Sequence, residues 1–230
     1  MGEFVKLKAD DGVELSAYVT RPEGAAKGAV VVVQEIFGIN ANMRGVADGF
    51  AKLGYVAIAP ALFDRIQPGI DLSYSDEDKK KAFELYPKLD PEKSLLDIAA
   101  AYHEIEKEDH KGIAIVGFCY GGLMAWLSAT RGETVKMQPS CCIGFYPGGI
   151  GKFAKEEPAC PVMLHFGAED SHIGSDQIEA VREAHPEVEI FVYEGAGHAF
   201  NREPDPTSYN AEAAKLARQR SDEFIATHVA

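Results

Sequence analysis

Four consecutive valines, Val30–Val33, constrain the fold of this chain more than any other feature. A run of β-branched residues with no polar alternation predicts a strand that is covered on both faces, here over Ala29–Gln34. Further buried strands are predicted at Tyr55–Ala59, Lys111–Val116, Ser140–Tyr146, Pro161–Phe166 and Val188–Tyr193. Helical segments separate them, and this alternation predicts an α/β fold with a mostly parallel central sheet and helices on both faces.

The helical segments follow from apolar spacing and from cap residues. Asp90-Pro91-Glu92 predicts a helix start, with Asp90 as the N-cap and Pro91 in the first turn. The other helices are predicted at Asn42–Leu53, Asp76–Leu85, Cys119–Thr130, Ser175–Ala184 and within Tyr209–Val229.

The N-terminal segment has a different pattern. Phe4–Lys8 and Glu14–Thr20 flank Asp10-Asp11-Gly12, and this predicts an antiparallel hairpin. The 230 residues contain no repeat and no linker, so we expect residues 1–230 to form one domain with no large lid.

The net charge of −13 argues against nucleic acid and anionic membrane surfaces as partners. No apolar run approaches the roughly 18 residues that span a bilayer, and no signal peptide is apparent, so we expect a cytoplasmic protein, either a monomer or a small homo-oligomer. No C-x-x-C pair occurs among the four cysteines, so we expect reduced thiols, no metal site and no cofactor. Cys141, Cys142 and Cys160 are expected to be buried packing residues.

The segment Gly117–Gly121 reads G-x-C-x-G and lies between a predicted strand and a predicted helix. The serine form of this pattern is the nucleophile elbow of α/β hydrolases, in which glycines allow strand and helix to pack around a tight turn. The turn places Cys119 at a helix N-terminus, where the helix dipole favours a thiolate. The alternative interpretation is a glycine-rich turn around a structural cysteine.

An acid and a histidine follow this turn, each just beyond a predicted strand. Asp170 follows one strand and His198 follows the next, which gives the α/β-hydrolase order of nucleophile, acid and histidine. Glu169 could replace Asp170, and His172 could replace His198. His165 is expected to be a hydrogen-bonded core residue. The remaining histidines are expected to be solvated: His103, His110, His185 and His228.

The sequence closely resembles the dienelactone hydrolase family, the carboxymethylenebutenolidases, which are cysteine-dependent α/β hydrolases. The resemblance rests on four motifs in order: Gln34–Asn40 with Met43-Arg44, Gly117–Gly122, Gly167–Asp170, and Gly195–Phe200 with Arg202. It implies an α/β-hydrolase fold and carboxylic ester hydrolysis.

The resemblance also implies the roles of individual residues. Cys119 matches the nucleophile, His198 the general base and Asp170 the residue that orients it. Four further positions match residues around this triad. Glu35 matches a glutamate that controls the protonation of the thiol, and Arg202 matches an arginine that binds the substrate carboxylate. The backbone N–H groups of Ile36 and Tyr120 match the oxyanion hole.

The sequence departs from the family where a second carboxylate-binding arginine is expected. An ungapped alignment places Lys79 there, and lysine supplies charge without a bidentate fork. Phe83 and Tyr86 fall at positions where the family has larger or more polar aromatic residues. The expected substrate-binding residues are therefore Arg202, Lys79, Phe37 and Phe83, with the choice of substrate open.

The expected reaction is the opening of a small lactone or ester, with or without a carboxylate, through a thioester on Cys119. The resemblance indicates a dienelactone-like substrate, from 4-carboxymethylenebut-2-en-4-olide to maleylacetate. One alternative is a general small-molecule carboxylesterase or lactonase. A panel of lactones and p-nitrophenyl esters would distinguish this enzyme from a dienelactone-like hydrolase. Another is a non-catalytic thiol sensor or ligand-binding protein, in which Cys119 reacts but no ester turns over.

Overall fold

An eight-stranded mixed sheet forms the centre of the molecule in the computed structural model, which describes residues 2–229. The strands are β1 (Glu3–Lys8), β2 (Glu14–Thr20), β3 (Gly28–Val33), β4 (Tyr55–Pro60), β5 (Ile113–Phe118), β6 (Cys141–Phe145), β7 (Val162–Gly167) and β8 (Glu189–Tyr193). Their order across the sheet is β1-β2-β4-β3-β5-β6-β7-β8. From β4 to β8 all neighbours are parallel, as the alternation of strands and helices predicts.

The N-terminal hairpin is confirmed. β1 pairs antiparallel with β2 from Glu3↔Val19 to Lys8↔Glu14, and β2 pairs antiparallel with β4. Gly12 has a φ of +88° in the connecting turn, a conformation that glycine adopts without strain.

Six helices connect or flank the strands: α1 (Ala41–Lys52), α2 (Asp76–Leu85), α3 (Pro91–Ile105), α4 (Tyr120–Arg131), α5 (Ser175–Ala184) and α6 (Ala211–His228). The predicted cap of α3 is confirmed, because the Asp90 side chain accepts a hydrogen bond from the N–H of Glu92. Asn40, Ser75 and Asn210 cap α1, α2 and α6 in the same way. Across residues 2–229 the other connections are turns, loops and short 3₁₀ helices, and none of them forms a large lid.

The helices cover both faces of the sheet, and β5 shows how. Its side chains alternate between faces. Val116 and Phe118 face a cavity bordered by α1 and α6, while Gly117 faces α4. α3 packs beside α4. Every residue of β3, β4 and β5 is buried, which explains their continuous apolar sequences.

The turn from β5 into α4 depends on two close backbone approaches. A Cβ atom on Gly117 would overlap the carbonyl of Gly121, and a Cβ atom on Gly121 would overlap the carbonyls of Val33 and Gln34. Both obstacles are backbone atoms, which cannot rotate away as a side chain does. The two glycines therefore allow α4 to begin directly against the ends of β3 and β5.

We predict that Gly117→Ala destabilises the fold by at least about 4 kcal/mol, because the new methyl group has no space beside Gly121. Gly45→Ala is the matched control. Gly45 lies within α1 with no atom near the position of a Cβ, so its replacement should stabilise the protein by about 0.4–1 kcal/mol. Urea unfolding monitored by circular dichroism measures both. A Gly117→Ala protein as stable as the wild type would contradict this account of the turn.

Candidate active site

Cys119, His198 and Asp170 form a continuous hydrogen-bonded chain at the carboxyl edge of the sheet. His198 Nε2 lies 3.3 Å from Cys119 Sγ, and His198 Nδ1 lies 2.7 Å from Asp170 Oδ2. Cys119 follows β5, Asp170 follows β7 and His198 follows β8, so adjacent ends of parallel strands bring together residues that are up to 79 positions apart. Of the two acids that the sequence offered, Asp170 is the one that contacts His198.

The backbone at Cys119 is strained. Its φ of 55° with ψ of −115° lies where residues with a Cβ atom are rare, and this is the sharp turn that the G-x-C-x-G pattern predicts. The turn makes Cys119 the N-cap residue of α4. Sγ therefore lies beside the positive end of the helix dipole, which stabilises a negative charge on sulfur.

Hydrogen bonds set the charges of Asp170 and His198. Burial of the Asp170 carboxyl raises its pKa, but hydrogen bonds from His198 and from the N–H groups of His172 and Ile173 hold that pKa below its usual value. Burial alone would lower the pKa of His198, and its hydrogen bonds with Asp170 and Cys119 outweigh burial and raise the pKa to about 10. At neutral pH, His198 is then an imidazolium ion beside Sγ, and it favours a thiolate.

The backbone N–H groups expected to form the oxyanion hole lie on two adjacent segments. Tyr120 is the first residue of α4, and the N–H groups of a first helical turn have no partner within the helix. The Ile36 N–H lies in the loop after β3 and donates no hydrogen bond within residues 2–229. The packing of Gly121 against Val33 and Gln34 holds this loop against the start of α4.

Glu35 and Arg202 form a buried ion pair next to the catalytic chain. Glu35 is 1% exposed and Arg202 7%, and Arg202 Nη2 lies 2.9 Å from Glu35 Oε1. Arg202 Nε also donates to both Glu35 oxygens. Burial opposes the charge of Arg202, but Glu35 more than compensates and raises the pKa of the guanidinium. Glu35 is therefore not a solvated loop residue, and Arg202 does not form a surface salt bridge, because both side chains are buried and pair with each other.

Lys79 and Arg202 form ion pairs with the same acid, Asp205. Asp205 Oδ2 is 3.3 Å from Arg202 Nη1 and 3.7 Å from Lys79 Nζ. The Lys79 side chain is 31% exposed, whereas that of Asp205 is buried. Together with Glu35, these residues make a cluster of two cations and two anions whose formal charges cancel.

The two candidate phenylalanines have different surroundings. Phe37 is buried, and the Arg202 guanidinium lies over its ring at 5.0 Å from the centroid, so Phe37 supports Arg202. Phe83 lies on α2 and is 59% exposed, and its ring makes no aromatic contact within residues 2–229. A substrate-binding role for either residue stays a prediction.

Three tyrosines near the site were not among the expected site residues. Tyr146 directly follows β6, and its buried ring lies 5.1 Å from that of His198. Tyr74 donates a hydrogen bond to Glu35 and lies under the Arg202 guanidinium. Tyr86 packs on Tyr120, and burial together with the charge of Cys119 raises its pKa. A position just beyond a strand end was the available signal for Tyr146, whereas Tyr74 and Tyr86 come from segments without such a marker.

Two expectations for cysteine and histidine need correction. Cys141 and Cys142 are buried as expected, but Cys160 is only partly buried because it lies in the loop before β7. His185 is 2% exposed and therefore not solvated, because it ends α5 with its ring against Trp126. His165 is confirmed as a hydrogen-bonded core residue, with partners Tyr193 and Ser221.

Comparison with known proteins places this geometry in a family. The family model described as "Dienelactone hydrolase family" matches residues 15–229. The chain belongs to the dienelactone hydrolase family. It is 32% identical over 232 residues to the carboxymethylenebutenolidase of Pseudomonas putida, with 97% of this chain and 96% of that protein covered. It is 30% identical to the carboxymethylenebutenolidase of Pseudomonas sp. (strain P51), with 97% and 94% covered.

A solved structure agrees with the assignment. A candidate dienelactone hydrolase from Klebsiella pneumoniae subsp. pneumoniae MGH 78578 superimposes with a TM-score of 0.82 at 28% identity, covering 97% of this chain and 99% of that one. The α/β-hydrolase fold expected from the sequence is thus confirmed, and the chain is a carboxylic ester hydrolase of this family. Within residues 2–229, none of the helices combines the length and the apolar character needed to cross a membrane.

We predict that Arg202→Met destabilises the protein by about 3–5 kcal/mol, because it leaves the Glu35 carboxylate buried without a counter-charge. The double variant Glu35→Gln/Arg202→Met should recover much of this loss. Arg21→Met is the control, because it removes an exposed pair with Glu108 that contributes at most about 1 kcal/mol. Chemical denaturation measures all three. A double variant no more stable than Arg202→Met would show that the pair is not the cause.

Proposed function

We propose that this chain is a cysteine-dependent hydrolase that opens small lactones and activated esters through a thioester on Cys119. The observation that carries the proposal is the chain of contacts from Asp170 through His198 to Sγ, with 2.7 Å and 3.3 Å between the bonded atoms. A nucleophile, a base and an orienting acid within hydrogen-bond distance are the components of nucleophilic catalysis. Family membership supports the same reaction class.

In the first half of the reaction, the Cys119 thiolate attacks the carbonyl carbon of the ester. The N–H groups of Ile36 and Tyr120 donate to the oxyanion, and the loss of one such donor typically slows a reaction about 10²–10³-fold. The bond from carbon to the leaving oxygen then breaks. Imidazolium His198 donates its Nε2 proton to that oxygen, which leaves a thioester and a neutral imidazole.

In the second half, His198 returns to its starting state. Its neutral Nε2 accepts a proton from water while the hydroxyl oxygen attacks the thioester carbon. The carbon–sulfur bond breaks, Sγ leaves as a thiolate, and the acid product departs. Asp170 holds the Nδ1–H throughout, so that Nε2 is always the nitrogen that faces sulfur and water.

The charged side chains near the thiol bear on whether the substrate carries a carboxylate. Arg202 and Lys79 supply positive charge, but Glu35 and Asp205 already balance it. A substrate carboxylate would therefore compete with these two acids for the cations. We propose a dienelactone-like compound, in agreement with the carboxymethylenebutenolidases to which the chain is similar. Its leaving group is a stabilised enolate, which a thiolate can displace more readily than it displaces an amine.

We predict that Cys119→Ala abolishes the hydrolysis of small lactones and p-nitrophenyl esters, with a loss of at least about 10³-fold, because it removes the thiol that lies 3.3 Å from His198 Nε2. Cys160→Ala is the matched control and should retain wild-type turnover, because Cys160 is a partly exposed thiol on the loop before β7. Initial rates on a lactone and on a p-nitrophenyl ester check both. Full activity of Cys119→Ala would reject the nucleophile, and reactivity of Cys119 without any turnover would indicate a thiol sensor.

A further inference from the structure

A buried imidazole outside the active site has no hydrogen-bond partner. The His185 side chain is 2% exposed, and its ring lies 5.5 Å from the Trp126 ring, centroid to centroid. Within residues 2–229, Nε2 of His185 has no hydrogen-bond partner, and Nδ1 lies at ion-pair distance from carboxylate oxygens without a hydrogen bond to them. Buried polar groups are nearly always paired, so this ring has a binding capacity that the chain itself does not use.

The Nδ1 atom of His185 faces two carboxylates. It lies 3.4 Å from Glu187 Oε1 and 3.8 Å from Glu157 Oε2, and all three atoms lie within 4.8 Å of one another. The three residues come from different segments: Glu157 precedes β7, His185 ends α5 and Glu187 precedes β8. Two exposed acids and one buried nitrogen thus converge on a single point.

This spacing fits the coordination sphere of a small metal ion. A tetrahedral ion with bonds of about 2.0–2.2 Å holds its ligand atoms about 3.3–3.6 Å apart. The observed separations of 3.4 Å and 3.8 Å need only small side-chain movements to match. One imidazole nitrogen with two carboxylate oxygens is a donor set for borderline divalent ions such as Zn²⁺, whereas Mg²⁺ and Ca²⁺ prefer oxygen ligands alone.

We infer that Glu157, His185 and Glu187 bind one borderline divalent transition-metal ion, with water completing its coordination. The site lies at the amino ends of β7 and β8, at the opposite edge of the sheet from Cys119 and His198. The ion therefore takes no part in ester hydrolysis. It fastens the end of α5 to the starts of two strands at the edge of the sheet.

A double variant of the two glutamates tests the inference without disturbing the core, because both carboxylates are exposed. Isothermal titration of the full-length protein with ZnCl₂ should detect a site that Glu157→Gln/Glu187→Gln weakens at least about tenfold, since even the loss of an outer partner costs about 10–100-fold. Glu183→Gln is the matched control: it removes an exposed acid on α5 outside the cluster and should leave the affinity unchanged.

The single tryptophan reports the location of the ion. Co²⁺ at the site would lie close to Trp126 and should quench its fluorescence in the wild type and in Glu183→Gln, but much less in the double variant. Zn²⁺ should raise the Tm of the wild type and of Glu183→Gln but not that of the double variant. All three proteins should hydrolyse esters at the same rate. Equal Zn²⁺ affinity in the double variant and the wild type, or no binding by the wild type, would overturn the inference.

Discussion

The backbone contact between Gly117 and the Gly121 carbonyl determines the position of the whole catalytic centre. Because no side chain intervenes, α4 begins immediately after β5, and the residue between them adopts a φ of 55°. This geometry raises Cys119 above the end of the sheet and directs the N-terminus of α4 at its sulfur. The second close approach, of Gly121 to β3, places the loop with Ile36 beside that N-terminus. A single tight turn thus positions the proposed nucleophile, the helix dipole and the proposed oxyanion hole together.

Electrostatic pairing divides the site into two parts. In one part, Asp170 and the thiol raise the pKa of His198 to about 10, against the effect of burial, so the imidazole carries a charge at neutral pH. In the other, Arg202 is held by Glu35 and Asp205 and stacked on Phe37 and Tyr74. The first part, with Asp170, His198 and Cys119, has the groups that the proposed attack on an ester carbonyl requires. The second is a preformed, charge-balanced cluster in which a substrate carboxylate would exchange with a protein carboxylate.

Sequence patterns predicted most of the fold because most of its features are local. The bounds of α2 and α5 agree with the apolar spacing, and the buried strands were recognisable from runs such as Val30–Val33. The contacts among Cys119, His198 and Asp170 were also predictable, since each residue follows a strand, and parallel strands end at one edge of the sheet.

Contacts between distant residues were not predictable in the same way. Glu35 and Arg202 are 167 residues apart, and no local pattern shows that they pair or that both are buried. His185 was expected in solvent because its sequence surroundings are helical or polar, yet packing against Trp126 buries it. The exposure of Phe83 has a similar cause: α2 turns Ala82 and Leu85 towards the protein, so Phe83 faces outward.

The pH dependence of Cys119 alkylation tests the central claim, a thiolate paired with imidazolium His198, most directly. Because the pKa of His198 is raised to about 10, its imidazolium is present below that pH and favours the thiolate, so the rate with iodoacetamide should fall much less between about pH 9 and about pH 6.5 than the rate of an ordinary thiol does. His198→Gln should restore the behaviour of an ordinary cysteine, whose rate rises about tenfold per pH unit below a pKa of about 8.5. Mass spectrometry of the modified peptide confirms the site of reaction. A wild-type rate that follows the ordinary thiol curve would contradict the account.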